Sequence, residues 1–198
     1  MKLLKTIVLA AALLTMGAVS ANAQFTVGPK AGLSVSWIPG TVIYGYEDVV
    51  PHNSFYAGAF AAYELSDRFF LQTELLYAVK GHSDKSESDG NYSRSIGYVQ
   101  LPVFAGLSAS GGRLAVMAGP EFGYMVCSRS KLGKLSEDTR KECNKFNFAL
   151  GLQLGYLLTD NLGVDVKFDW GVTQTFVQKI DRGRNLSAQI GLSYRFEL

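Results

Sequence analysis

Apolar residues recur at every second position over most of the chain, and no stretch carries a helical stripe. Leu162, Val164, Val166, Phe168, Trp170 and Val172 share one face, while Gly163, Asp165, Lys167, Asp169, Gly171 and Thr173 share the other. Such alternation predicts a strand with one apolar and one polar side. Segments 146–158, 186–196, 69–80 and 114–124 repeat the pattern, and 25–37, 54–64 and 95–107 follow it less cleanly, so eight strands are expected.

The links between these segments alternate in length. Ser66-Asp67, the stretch from Ser108 to Gly112, and Thr159-Asp160-Asn161 are short, whereas 38–53, 81–94, 128–145 and 175–185 are long and polar. Short turns on one side and long loops on the other mark an outer-membrane barrel, and strands of about 11 residues suffice to cross a bilayer when tilted. The expected fold is all-β, an eight-stranded antiparallel up-and-down transmembrane β-barrel.

Alternation alone does not say which face meets lipid, and a soluble secreted carrier barrel of the lipocalin kind shows it too. The polar face carries many glycines together with Glu64, Glu74, Glu121, Asp165, Lys167, Asp169 and Arg195. Glycine in mid-strand weakens a sheet that faces water, but inside a narrow barrel it makes room for large neighbours. The charged groups are therefore placed in the lumen, as a hydrogen-bonded ion network, and the apolar face in lipid.

Charge and composition sharpen this. The full chain of 198 residues has 19 basic and 17 acidic groups, and both surplus charges, Lys2 and Lys5, lie at the very start. Residues 1–23 form a basic start, an apolar stretch and an Ala21-Asn22-Ala23 ending, which is the form of a secretory signal peptide cleaved before Gln24. The apolar stretch is shorter than the roughly 20 residues that span a bilayer, which disfavours an uncleaved anchor. Residues 24–198 then form one barrel domain with 17 bases and 17 acids, and this net of zero excludes a nucleic-acid binder driven by overall positive charge. Neither a plug before the first strand nor a further domain after the last is expected. The two cysteines, Cys127 and Cys143, belong to an exported chain, so a disulfide closing a loop of about 15 residues is expected over a reactive or metal-binding pair.

The last strand, Gln189-Ile190-Gly191-Leu192-Ser193-Tyr194-Arg195-Phe196, resembles the C-terminal signal read by the outer-membrane barrel assembly machinery, with Gln189, Gly191, Tyr194 and Phe196 at the recognised positions. It departs from that signal by continuing through Glu197 and Leu198. Leu65-Ser66-Asp67-Arg68-Phe69 with Gln72 to Tyr77, and Ala118-Gly119-Pro120-Glu121-Phe122-Gly123-Tyr124, resemble the PorT-like and related OmpA-like small outer-membrane barrels frequent in Bacteroidetes. The resemblance covers residues 25–198. It implies an eight-stranded barrel in the outer membrane and transfers no catalytic residue.

Eight strands leave an interior that side chains fill, so a general porin is not expected, and neither is a cofactor. His52 and His82, with Asp48 and Asp84 nearby, flank the outer end of one hairpin and are the candidates for a rim metal or acid–base site. Two solvated loop histidines are the favoured reading, because an active imidazole needs an orienting partner and a pocket. Loop 128–145 carries Arg129, Lys131, Lys134, Arg140, Lys141 and Lys145 against three acids. This places its six bases as candidates for contact with lipopolysaccharide phosphates. The expected role is structural or interactive, with outer-membrane lipid as partner and no protein partner identifiable from the sequence.

Overall fold

The alternating segments close into one antiparallel sheet. The computed structural model describes residues 25–38, 49–84, 92–109, 111–132, 135–176 and 183–197. The expected leader 1–23, Asp48 and Lys134 lie outside these residues. The strands are β1 (Phe25–Trp37), β2 (Val49–Glu64), β3 (Phe69–Asp84), β4 (Tyr92–Ala109), β5 (Leu114–Leu132), β6 (Leu135–Asp138), β7 (Phe146–Leu157), β8 (Leu162–Gln174), β9 (Arg184–Tyr194) and β10 (Phe196–Glu197). Eight of them are staves, each paired with the next along the chain, and β9 returns to β1 from Lys30 opposite Ser193 to Trp37 opposite Leu186. β6 is an extension paired only with β5, and β10 continues the wall beside β1, with Val27 opposite Phe196. Glu197, beyond the terminal aromatic, therefore belongs to the barrel wall.

Closure is what lets such a sheet sit in hydrocarbon, because every ladder group is paired and no edge remains. Leu150, Leu152, Leu154, Val166, Trp170, Ile190 and Leu192 point outward with about half their surface exposed, whereas Asp165, Lys167, Asp169 and Gln189 between them are buried. Aromatic rings gather at both edges of this apolar band. Phe55, Tyr77, Tyr124 and Phe146 lie toward the end with the long connections, the loop end, and Phe69, Tyr156, Tyr194 and Phe196 lie toward the turn end. Aromatic girdles of this kind mark the two interfaces of a membrane barrel.

The short turns are built from local caps. Ser66 Oγ accepts from the Phe69 amide at 3.2 Å and Thr159 Oγ1 from the Leu162 amide at 3.0 Å. Gly111 and Gly112 take φ of 66° and 87°, left-handed conformations that cost glycine little.

At the loop end the strands run further than their hydrophobic pattern predicts. β2 begins at Val49, β3 continues to Asp84, β4 starts at Tyr92 and β5 reaches Leu132, so much of the expected loop sequence is sheet. Within them Ser93-Arg94-Ser95 of β4 and Ser128 to Lys131 of β5 are polar on both faces and so carry no alternation. They form because each added residue pairs on an existing ladder. Segment 128–145 is accordingly not a loop but a β5–β6 hairpin followed by a 3-10 turn over Arg140–Glu142.

Three register shifts lie toward the loop end, one in the β2–β3 pairing between Pro51 and Tyr56, a second in the β4–β5 pairing at Gly97/Tyr98, and a third in the β8–β9 pairing between Trp170 and Gln174. Below the second shift the outward residues of β5 are Phe122, Tyr124 and Val126; above it they are Arg129 and Lys131, with Ser128 and Ser130 buried. A β-bulge re-aims side chains in this way.

Candidate functional site

Seven ionisable side chains fill the middle of the lumen. Lys30 on β1 bridges Glu74 on β3 and Asp165 on β8, each at 2.8 Å. One layer nearer the loop end, Lys80 on β3 bridges Glu121 on β5 at 3.1 Å and Asp169 on β8 at 3.3 Å. Lys167 on β8 reaches the other oxygen of Glu121 at 2.8 Å and approaches Asp169 at 3.6 Å. Amides and hydroxyls complete the shell. Gln72 donates to Glu74, Lys30 also donates to Gln153, Gln100 donates to Glu121, and Ser187 and Gln189 donate to Asp169. Buried charges are tolerable only when paired in this manner.

This network differs from the expected one in two respects. Lys30 and Lys80 belong to it, so four carboxylates meet three ammonium groups rather than a marked acidic excess. Glu64 and Arg195 do not: Glu64 is exposed and Arg195 is half-buried beyond the end of β9, and both sit at the turn-end rim. Lys30 shares the inward parity of Thr26, Ser34 and Ser36 on β1, and that parity is its signal in the sequence. The only advance signal for Lys80 was its parity with Gln72 and Glu74.

Apolar packing closes the lumen above the ions. Ile38, Ile96, Tyr98, Met125, Cys143 and Phe176 form a buried cluster at the loop end. Arg94 covers it, with its guanidinium 5.2 Å from the Phe176 ring centre and ion-paired to Glu142. Toward the turn end, Phe60, Phe70, Phe104 and Met117 pack together. Beside them a cavity of about 50 Å³, lined by Lys30, Gln72, Gln153, Asp165 and Arg195 among others, has room for a few waters. The interior is packed tightly enough that the Tyr56 hydroxyl occupies the place a Cβ on Gly191 would take, and the Phe70 ring that of one on Gly106. Thus Gln189 and Gly191 of the C-terminal motif serve the lumen, while Tyr194 and Phe196 face outward with ring centres 5.0 Å apart.

The expected disulfide is absent: Cys127 and Cys143 are both free thiols. Cys127 lies against the Tyr77 hydroxyl at 3.6 Å on the outer side of the wall, whereas Cys143 is in the inner apolar cluster, 3.5 Å from Ser128 Oγ. The wall itself separates them. Burial raises the Cys143 thiol above its ordinary range.

The hairpin register sets Pro51, not His52, opposite His82, because the β2 bulge shifts the pairing. His52 lies on the loop-end extension with Nδ1 3.2 Å from Ser83 Oγ and Nε2 3.1 Å from Ser95 Oγ, so both ring nitrogens have hydroxyl partners. Burial lowers its pKa from 6.5. Among the described residues no group of three or more His, Cys, Asp or Glu side chains is placed to hold a metal.

Of the candidate basic residues, Arg129, Lys131, Arg140, Lys141 and Lys145 are all exposed. Arg140 is committed to Asp138, with Nε at 2.9 Å and 3.0 Å from its two oxygens, which lowers the carboxyl's pKa.

Solved structures share this architecture. The attachment invasion locus protein Ail of Yersinia pestis superposes with a TM-score of 0.52 at 14% identity, covering 86% of this chain and 98% of its own. Neisserial surface protein A gives 0.52 at 14% identity, covering 87% and 97%. At such identity the likeness speaks for the fold. No curated protein sequence matches the chain. Residues 19–177 match the family described as the outer membrane protein beta-barrel domain, and with the closed sheet, outward apolar band and polar lumen that match establishes that the chain belongs to this family of outer-membrane barrels.

Proposed function

We propose that this protein is a non-conducting outer-membrane barrel that acts at the cell surface through the β-extension at its loop end. The observation that carries the reading is the filled lumen: two tiers of ion pairs lie beneath an apolar cap, while every residue of β6 in the β5–β6 hairpin is exposed. The interior supplies rigidity, and the hairpin presents the surface that is recognised. In a barrel of this class the long connections face outside, which makes the loop end extracellular.

Residues 1–23 serve as the cleaved export signal, and Gln189, Gly191, Tyr194 and Phe196 are read by the assembly machinery. The motif at Leu65–Phe69 and the one at Ala118–Tyr124 favour the PorT-like branch of the family. A metal or acid–base role for His52 with His82 is disfavoured by the serine partners that occupy both nitrogens of His52.

An epitope inserted between Leu132 and Leu135 tests the surface reading. Antibody should bind intact cells; binding only after the outer membrane is broken would overturn it. N-terminal sequencing of the membrane-inserted protein should begin at Gln24.

A further inference from the structure

Arg129 and Lys131 stand on the outer wall of β5 above the aromatic girdle, and they do so because of one bulge. Had the parity of Phe122, Tyr124 and Val126 continued, Ser128 and Ser130 would face out and both cations would face in. The shift at Gly97/Tyr98 reverses this. From Val126 to Arg129 the strand advances about 10 Å along its axis and, at a tilt of about 45°, about 7 Å along the membrane normal, roughly the step from the acyl boundary to the headgroups. Across the ladder Ser95 is paired with Arg129 and Ser93 with Lys131. Paired residues share a face, so a serine hydroxyl flanks each cation, that of Ser95 also touching His52 Nε2 at 3.1 Å.

The local charge is unbalanced. On the other side of Arg129 the ladder partner is Asp138, but Arg140 already holds that carboxylate. Three cations against one carboxylate leave a surplus of two. Among the described residues neither Arg129 nor Lys131 forms a salt bridge. Two exposed cations with adjacent hydroxyls, aimed sideways at headgroup depth, suit a phosphate carried by the surrounding lipid.

We infer that Arg129 and Lys131, with Ser93 and Ser95 beside them, form a lateral binding site for the phosphates of lipid A in the outer leaflet. This rests on the surface reading above and narrows it from six bases to two. Lys141 and Lys145 are outside the site, and Arg140 serves to occupy Asp138.

The test uses the full mature chain in detergent with fluorescently labelled lipopolysaccharide, and heat-modifiable gel migration as the folding control. Arg129→Gln with Lys131→Gln should weaken binding by at least about tenfold. Lys141→Gln with Lys145→Gln, a control of equal charge change, should stay within about twofold. Lipopolysaccharide stripped of its lipid A phosphates should lose the preference for the unaltered chain, and inorganic phosphate should compete poorly. Unchanged binding by the first pair, equal loss by the control pair, undiminished binding of the stripped lipid, or displacement by inorganic phosphate would each overturn the inference. A failed epitope test with retained lipid binding would instead fault the surface reading alone.

Discussion

Lys167 extends from β8 across the barrel interior to Glu121 on β5, their charged atoms 2.8 Å apart, joining two staves that β7 keeps from touching. Lys30 and Lys80 make the same kind of tie, from β1 to β3 and β8, and from β3 to β5 and β8. Sheet hydrogen bonds link only neighbouring staves, so these ion pairs act as struts across the lumen. Rigidity of the wall then depends on the central carboxylate, which serves two struts at once.

Replacing Glu121 with Gln strands Lys80 and Lys167 on Asp169 alone. Breaking one partner of a buried pair costs about 3–5 kcal/mol. Reversible urea unfolding in lipid vesicles should show a loss of that order for Glu121→Gln. Glu64→Gln, at the exposed rim, should change little.

Gly191 and Tyr56 are fitted to one another, the phenol oxygen filling the space of the missing Cβ. Gly191→Ala should destabilise the barrel by about 1–3 kcal/mol, as overpacking does. Removing the hydroxyl by Tyr56→Phe should restore part of that loss, and a double-mutant cycle reads the coupling. Additive effects of the two changes would show that the contact carries no energy.

The strands of the second half, β7 and β8 above all, were legible because each outward residue meets lipid and each inward one meets a full lumen, so the period of two is strict. Leu150, Leu152 and Leu154 alternate with Gly151 and Gln153 without exception. Legibility failed where that constraint relaxes. Beyond the membrane, Tyr92 to Arg94 is sheet with no apolar side, and the pairing of β3 supplies the order that the sequence does not announce. Bulges were likewise invisible: the reversal of parity in β5 turns Arg129 outward and puts Cys127 and Cys143 on opposite sides of the wall. The polar face was predictable as a set, but the pairing of Lys30 with Asp165 joins residues distant in the chain. Only closure of β9 on β1 brings them close.

The cysteines give a simple chemical check. Unfolding without reductant in the presence of a maleimide should add two labels per chain, because both thiols are free. In the folded barrel Cys143 should react slowly, since it is buried and its thiol pKa is raised. A chain that accepts no label until reduced would contain the disulfide after all.

His52 predicts a pH dependence at the loop end. Its folded pKa lies below 6.5, so the unfolded chain binds the proton more readily. The stabilisation from the neutral ring is fully present above pH 6.5 and is lost as pH falls through 6.5 toward the lower folded value. His52→Gln should therefore reduce the difference in stability between about pH 7.5 and about pH 5.5, read from the temperature at which heat-modifiable migration is lost. An unchanged difference would assign the pH response to other groups.

Single-channel recording of the purified mature protein in planar bilayers addresses the closed lumen most directly. With the two tiers of ion pairs intact and the Ile38–Phe176 cluster above them, the barrel should show no steady ionic current. A persistent, single-valued conductance from the unaltered chain would contradict that reading and make the protein a channel.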